Sequence, residues 1–510
     1  MLPHLLETNF MDVRKGKLNV CVSVGFKIIT MIIAIYVKSV LVGICGHEVN
    51  GLNALYLSII GFLSVAELGI GSAITFCMYK PIVDGNNEMV SALYQLFRKL
   101  YILIGAIIFI GGLAIMPFLP FLAKDYTAID ENMYVTFFLM LISVTMTYLF
   151  SSKTSLINAY KNNYVTTAIS QGGMVLQYGL QIAVLFLTHS FVAYLICRII
   201  SVAIQWGLTE IISNKKYGRI IHTKASLNNE TKNIVKKNIR AMCMHKIGYV
   251  LVNTVDSVII SAFVGIVSLG EYSNYTMVLS SMSGILTLIF TSLTSVIGHL
   301  CVEEDKETSR KYCESFHLLN FMIGTIFFLG YYAVIDSLIS VLFSAELIVD
   351  KSVSFVITLN GFVQFMRRST LTFRDATGSF YQDRWKPLVE GVTNIILSII
   401  LVKLIGVAGV IAATIITNLL ICHAVEPYVL YKNAFNVSPK RFFMTNYGMI
   451  LLFAVALVAL NYCLQTVANK WIELLLNGFV SVGVSLVACG GVVCIRRKDT
   501  RQLLRIIRKG

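Results

Sequence analysis

Charged side chains inside long apolar runs are the residues of this sequence whose chemistry and position most need an explanation. Glu67 lies near the middle of an apolar run, Leu52–Met78, that is long enough to cross a bilayer. A carboxylate at that depth costs roughly 2.5–3.5 kcal/mol on insertion scales, so it must face a polar interior rather than lipid. Gly69 and Gly71 allow another helix to approach closely beside it. The alternative interpretation is a hydrogen-bonded Glu that only fixes helix packing.

Other charges also fall within apolar runs. The cations at this depth are Lys27, Lys38, Arg198 and Lys246, and the carboxylates are Asp256 and Glu390. A charge inside a membrane persists only with a partner or in a wet cavity, so these residues predict a polar interior in both halves of the chain. The carboxylates either pair with the cations or bind a coupling proton or sodium ion.

The composition predicts the elements that position these charges. Of 510 residues, 56% are hydrophobic and 14% are charged, whereas soluble domains are about 25% charged. Apolar runs centre near residues 31, 65, 110, 142, 176, 201, 254, 285, 327, 361, 396, 418, 453 and 482. We therefore predict an all-α polytopic membrane protein with about 14 transmembrane helices. The eleven Cys lack metal-ligand or disulfide-framework spacing, so no metal or other cofactor is expected.

The distribution of Lys and Arg predicts the orientation. Most of the 42 basic residues lie in alternate connecting segments and at the termini. The opposite segments contain Lys124, Lys351, Lys403 and Lys470. By the positive-inside rule both termini are cytoplasmic. The net charge of +15 is thus an orientation signal, and a contact for anionic membrane lipids, rather than a nucleic-acid footprint.

The chain divides into two related halves. We predict an N-terminal six-helix bundle (1–213), a basic cytoplasmic linker (214–240), a second six-helix bundle (241–432), and two extra helices with a basic tail (433–510). Short similar segments recur about 220 residues apart, for example Ala159–Tyr164 and Phe380–Trp385. Six spans return the chain to its starting side, so the predicted pseudo-two-fold axis runs along the membrane normal.

Two stretches carry a family resemblance. The first is Glu-Leu-Gly-Ile-Gly at 67–71 with Tyr-Lys-Pro at 79–81. The second is Gly-Ser-Phe-Tyr-Gln-Asp-Arg-Trp-Lys-Pro-Leu-Val-Glu at 378–390, followed by Asn394. Gly-Val-Ala-Gly-Val at 406–410, Thr414, Glu-Pro at 426–427 and Tyr-Lys at 431–432 extend it. Together they resemble polysaccharide flippases of the multidrug/oligosaccharidyl-lipid/polysaccharide exporter superfamily. Val49 departs from the pattern, because family members often carry Tyr there.

The resemblance implies a flippase of the bacterial cytoplasmic membrane. Its substrate would be undecaprenyl-pyrophosphate-linked oligosaccharide repeat units, translocated by alternating access for cell-surface polysaccharide biosynthesis. Such a headgroup cannot cross hydrocarbon unaided, because its charges and hydroxyls would lose their hydration. The implied partners are membrane lipids, H⁺ or Na⁺ as the coupling ion, and a polysaccharide polymerase with assembly proteins. Capsule, O-antigen, teichoic-type polymer and exopolysaccharide all fit as the product.

The predicted site residues follow from this hypothesis. The substrate-binding cations are Lys27, Lys38, Arg198, Lys246, Arg367 and Arg374. The coupling or ion-pair carboxylates are Glu67, Asp256 and Glu390. Snorkelling to an interface is the alternative for Lys38 and Arg367.

Three other functions are open to a polytopic membrane protein. An ion-coupled multidrug or small-molecule antiporter of the same superfamily is the main alternative. A membrane glycan polymerase is less consistent with the short external segments, and a structural scaffold would not need buried charge in both halves. The sequence contains no phosphate-binding Gly-x-x-x-x-Gly-Lys-Ser/Thr loop and no His-Glu-x-x-His, so no enzyme activity and no catalytic residue is predicted.

Overall fold

The computed structural model describes residues 25, 28–67, 70–125, 131–223, 225, 227, 254–303, 305–377, 382–383, 385–496 and 500. The chain forms two compact units, residues 1–247 and 248–510. In the described ranges both units are helical and contain no β-strand. The helical stretches in these ranges that are long and apolar enough to span a membrane are Ile28–Cys45, Asn87–Leu122, Met133–Ala159, Phe191–His222, Lys306–Leu342, Lys386–Phe435, Lys440–Cys463 and Lys470–Ile495.

The described part of the first unit consists mainly of long helices. They are α1 (Ile28–Cys45), α2 (His47–Leu63), α3 (Ile70–Val83), α4 (Asn87–Ile115), α5 (Met133–Ala159), α6 (Asn163–Thr188) and α7 (Phe191–His222). A 3₁₀ turn, Ser64–Glu67, follows α2 and interrupts the second predicted span. Glu67 therefore lies at a break in the helix rather than in a regular turn.

The second unit continues the same pattern. Its helices are α8 (Thr254–Val264), α9 (Ile266–Glu303), α10 (Lys306–Leu342), α11 (Lys351–Ala376), α12 (386–404), α13 (407–435), α14 (Lys440–Cys463) and α15 (Lys470–Ile495). Beyond Thr417, α13 includes two π-helical turns, Asn418–Cys422 and Tyr431–Phe435.

A tight backbone turn separates α12 from α13. Ile405 and Gly406 leave helical geometry, and Gly406 adopts φ 60°, which is accessible to glycine at little cost. A Cβ on Gly409 would lie 2.2 Å from the main-chain oxygen of Leu401, so the two helices meet at a position where only glycine fits. This close approach lets side chains of α12 and α13 bond to each other along their length.

The helix boundaries of the two units repeat at a nearly constant spacing. Residues at corresponding helix ends are 217 to 219 positions apart in the pairs Gly46 and Gly265, Asn86 and Asp305, Asn132 and Asp350, and His189 and Gly406. Several of these residues cap the next helix: Asn86 Oδ1 accepts the Met89 N–H at 2.9 Å, for example. The predicted internal repeat therefore extends to the positions at which helices begin and end.

The two C-terminal helices pack on the second unit. The rings of Phe362 in α11 and Phe453 in α14 stack with centroids 3.6 Å apart. The Tyr332 hydroxyl of α10 donates to Asn461 Oδ1 at 2.6 Å, and the Ser337 hydroxyl donates to Glu473 of α15 at 2.8 Å. The extra helices are thus integral to this unit.

Candidate functional site

The structure places the predicted site residues in both units. Lys27 and Lys246 lie outside the described residues. The first unit contains Lys38, Glu67 and Arg198, and the second contains Asp256, Arg367, Arg374 and Glu390. Below, the inner end of a unit is the end that the sequence predicts to be cytoplasmic.

Two tyrosine hydroxyls hold the Glu67 carboxylate. Tyr101 of α4 donates to Oε1 and Tyr148 of α5 donates to Oε2, each at 3.2 Å. Both hydroxyls are neutral donors, so each contact is a hydrogen bond rather than an ion pair. The polar interior that the sequence requires around Glu67 thus includes these two hydroxyls.

Two glycines make room for the tyrosines. A Cβ on Gly71 would lie 2.6 Å from the Tyr101 hydroxyl, and one on Gly105 would lie 3.2 Å from Tyr148 Cβ. The sequence predicts a close approach at Gly71, and in the structure the approaching group is the Tyr101 hydroxyl. Sequence reasoning missed the tyrosines because they come from other helices and no pattern links them to Glu67.

Of the four cations predicted to lie within membrane spans, Lys38 and Arg198 are among the described residues. Lys38 is partly buried in α1. Arg198 is partly buried near the start of α7, within electrostatic range of Tyr178 and Tyr194. No carboxylate in the described ranges pairs with Arg198. The predicted binding role of both cations stays a prediction.

An ion pair that the sequence did not predict joins α5 to α7 near the inner end of the first unit. Lys153 donates to Glu210 and, at 3.1 Å, to Asn214 Oδ1. Asn214 in turn donates to Glu210 at 3.0 Å. The side chain of Lys153 is 9% exposed and that of Glu210 is 43% exposed. Counting Lys153 among loop cations hid this role, although Glu210 and Asn214 have the spacing of one helix face.

Arg367 of α11 is the centre of a larger network in the second unit. Its guanidinium donates to both oxygens of Glu426 in α13, at 2.6 Å to Oε1 and 3.1 Å to Oε2. It also donates to Asn418 Oδ1 at 2.6 Å. The Glu426 side chain is 1% exposed, so this bidentate pair is desolvated. Arg367 is therefore engaged by its own unit, and substrate binding by it stays a prediction.

Lys386 and Glu390, one turn apart at the start of α12, complete the network. Lys386 Nζ lies 2.5 Å from Glu426 Oε1 and 3.4 Å from Glu390 Oε2. Glu390 Oε1 also lies 3.6 Å from Arg367 Nη1. Two cations thus balance two carboxylates, which avoids the large cost of an unpaired buried charge. The sequence treats Lys386 as a loop residue, but the helix begins there and buries it.

Asp256 of α8 is linked by hydrogen bonds to the network around Arg367. Thr414 of α13 donates to Asp256 Oδ2 at 2.9 Å and accepts from Asn394 of α12 at 2.9 Å. Asp256 Oδ1, Asn394 Oδ1 and Ser398 Oγ are buried and have no hydrogen-bond partner among the described residues. Asn418, which accepts from Arg367, donates to the Thr414 carbonyl at 2.8 Å. Hydrogen bonds therefore connect Asp256 to the ion pairs.

Arg374 lies about two turns beyond Arg367 and contacts two carboxylates. It donates to Asp383 Oδ2 at 2.6 Å and to Asp375 Oδ1 at 2.9 Å. The Asp383 side chain is buried, which ties the α11–α12 connection to α11. Substrate binding by Arg374 also stays a prediction. Among the described residues, no three His, Cys, Asp or Glu side chains converge as a metal site.

Comparisons with known proteins identify the class of fold. The sequence matches no protein-family model and no curated protein. The lipid II flippase MurJ, in an inward closed conformation, is similar to this chain with a TM-score of 0.63 and 13% identity. That match covers 93% of this chain and 99% of MurJ. An inward-facing multidrug resistance MATE family transporter of the MOP superfamily matches with a TM-score of 0.58 and 14% identity, over 82% and 95% of the two chains.

At these identities the likeness establishes the fold. The chain shares the overall fold of these flippase and transporter structures. The predicted all-α polytopic membrane fold is confirmed.

Proposed function

We propose that this protein is a flippase for lipid-linked oligosaccharides. It moves undecaprenyl-pyrophosphate-linked repeat units across the bacterial cytoplasmic membrane by alternating access, with both termini in the cytoplasm. The observation that carries the proposal is the extent of the match to the lipid II flippase. Residues 433–510 are too large a share of the chain to lie wholly outside a 93% match, so the match includes part of the C-terminal region that packs on the second unit.

Arg198 supports an anionic cargo. In the described ranges it has no carboxylate partner, whereas Arg367 and Arg374 each contact two. A partly buried cation at membrane depth is costly unless an anion binds to it. A pyrophosphate headgroup supplies that anion during transport, and Arg198 binds it through charge-assisted hydrogen bonds.

Asp256 supports cation coupling in the second unit. Its free oxygen and that of Asn394, which is linked to Asp256 through Thr414, are buried oxygen atoms of the kind that coordinates Na⁺ or accepts a proton. Ion binding there biases the transport cycle only if the two transport states bind the ion unequally. We therefore assign Asp256 to the coupling step.

Reconstitution tests the cargo. The full-length protein in proteoliposomes is supplied with undecaprenyl pyrophosphate bearing N-acetylglucosamine, and a membrane-impermeant galactosyltransferase reports the sugar that reaches the opposite leaflet. We expect flipping by the wild type, loss of at least ten-fold in Arg198→Ala, and partial activity in Arg198→Lys. Lys99→Ala removes an exposed cation of α4 and serves as the control. Absence of flipping together with ion-dependent drug efflux would establish the antiporter alternative.

Thermal unfolding tests the coupling ion. We expect NaCl, but not choline chloride, to raise the Tm of the wild type if Na⁺ is the ion, and a pH-dependent Tm if it is H⁺. Asp256→Asn removes the NaCl response or weakens the pH dependence of the Tm, whereas Asp84→Asn, at an exposed carboxylate beyond α3, changes neither. An unchanged response in Asp256→Asn contradicts the assignment.

A further inference from the structure

A half-open groove lies at the inner end of the first unit. It has a volume of about 840 Å³ and is lined by the end of α3, the α5–α6 turn and the first turns of α6. The lining residues are Tyr79, Ile82, Val83, Asn158, Ala159, Tyr160, Lys161, Asn163, Tyr164, Thr167, Ala168, Gln171 and Gly172. Its size falls within the roughly 300–1,000 Å³ of small-molecule sites.

The α5–α6 turn, which forms one wall of the groove, is held in place by contacts with α7. Lys161 adopts φ 60°, and Asn162 donates to the hydroxyl of Tyr217 in α7 at 2.7 Å. The rings of Tyr160 and Tyr217 lie 4.8 Å apart. A left-handed residue other than glycine is uncommon and persists where its surroundings hold it. The wall of the groove is therefore built by contacts outside the groove.

The groove presents the groups that bind sugars. Tyr79 and Tyr164 are 49% and 59% exposed, so their ring faces are open to a ligand. The carbonyl oxygen of the Gln171 side chain is buried and has no hydrogen-bond partner in the described ranges. A Cβ on Gly172 would meet nothing within 4 Å, which leaves open space on this side of α6. Aromatic faces beside an unsatisfied amide suit the mixed apolar and hydroxyl surface of a sugar.

Charge and position select among sugar-bearing ligands. Lys161 is the charged residue of the lining, and Lys80 lies beside Tyr79. The Tyr-Lys-Pro sequence at the end of α3 is typical of a membrane interface. A ligand that joins a sugar to an anion and is held at the headgroup level fits this combination.

We propose that this groove is a docking site for the glycosyl diphosphate headgroup of a membrane-held lipid before translocation. The first sugar stacks on Tyr164 and Tyr79 and donates a hydroxyl to Gln171, and the diphosphate pairs with Lys161. The proposal rests on the proposed flippase function and deepens it, because it assigns substrate selection to a site apart from the in-span charges.

Binding to the purified full-length protein in nanodiscs tests the groove. The probes are undecaprenyl pyrophosphate bearing N-acetylglucosamine, undecaprenyl pyrophosphate alone, and phosphatidylglycerol. We expect Tyr164→Ala combined with Gln171→Ala to weaken binding of the glycosylated probe by at least ten-fold and to leave the second probe nearly unchanged. Lys161→Glu weakens both pyrophosphate probes. Tyr462→Ala and Lys440→Glu, at exposed positions of α14, are the matched controls.

The outcomes separate this proposal from the function it rests on. Wild-type binding that the groove variants leave intact overturns the groove and leaves the flippase function standing. Equal weakening of all three probes, phosphatidylglycerol included, identifies a general anionic-lipid surface and overturns sugar recognition. No wild-type binding of either pyrophosphate probe contradicts both proposals. Size-exclusion profiles that match the wild type establish that each variant is folded.

Discussion

At its inner end, each unit has an ion pair between two helices. The two ion pairs differ in burial and in the number of charges around them. In the first unit Lys153 of α5 pairs with Glu210 of α7, and in the second Arg367 of α11 pairs with Glu426 of α13. The second unit adds a cation and a carboxylate from the start of α12, and its Glu is 1% exposed where Glu210 is 43% exposed. The corresponding start of α6 in the first unit lines an open groove.

This difference suggests that the two repeated units have different roles. The start of α12 places Lys386 against Glu426, which fixes the inner end of the second unit. In the first unit, the start of α6 instead lines the open groove, together with tyrosines. At membrane depth, the carboxyl group of Glu67 accepts hydrogen bonds from two tyrosine hydroxyls. Under the proposed function, the first unit would bind the cargo, and the second unit would provide a rigid support and bind the coupling ion.

The largest expected effect comes from breaking the network of the second unit. Arg367→Ala leaves Glu426 and Glu390 sharing one cation in a desolvated site, so we expect a loss of about 3–5 kcal/mol in the free energy of unfolding. Thermal and denaturant unfolding in detergent measure it.

A double variant provides the control. Arg367→Met with Glu426→Leu removes one charge of each sign and leaves Lys386 with Glu390 at 3.4 Å. Replacing a buried pair with apolar residues is often neutral, so this variant should recover most of the stability. A single variant as stable as the wild type would show that the network contributes nothing to rigidity.

The second effect concerns how the first unit holds Glu67. Gly71→Ala places a Cβ 2.6 Å from the Tyr101 hydroxyl, which must then shift from its position beside Glu67. We expect a loss of about 1–3 kcal/mol from overpacking, together with reduced flipping in proteoliposomes. Gly179→Ala is the control, because its Cβ meets nothing within 4 Å. Wild-type flipping by Gly71→Ala would mean that the hydroxyl is not required.

The third effect tests the repeated caps, which differ in charge. Asn86 and Asp305 both accept a main-chain N–H three residues on, at 2.9 and 3.2 Å. Asn86→Ala should cost about 1 kcal/mol at any pH. Hydrogen bonds from Thr308 lower the pKa of Asp305 below its ordinary value, so its stabilisation is complete above about pH 4 and is lost as pH falls through the folded-state pKa. Stability curves of Asp305→Asn and wild type should therefore converge in acid, and parallel curves contradict this.

The sequence predicted the features that depend on membrane depth and helical periodicity. It did not predict the contacts between side chains of different helices. Apolar runs predicted the helices, and the charge inside one of them identified Glu67 as a residue in a polar interior. Tyr101 and Tyr148 gave no signal, because an aromatic in a span is ordinarily core. Lys386 was hidden by hydropathy, which ends a span at the first charge, although its four-residue spacing from Glu390 indicated a pair on one helix face.

The smallest effect is the direct counterpart of the first. Lys153→Ala removes the cation of the first unit, but Glu210 is 43% exposed and keeps a hydrogen bond from Asn214 at 3.0 Å. Solvent and the amide then satisfy the remaining carboxylate, so we expect a loss of only about 0.2–1 kcal/mol, in the range of exposed ion pairs. Unfolding under the conditions used for Arg367→Ala measures it, with Lys215→Ala as an exposed control on α7. A loss as large as that of Arg367→Ala would mean that both inner ends are rigid supports. The asymmetry that assigns cargo to the first unit would then rest on the groove alone.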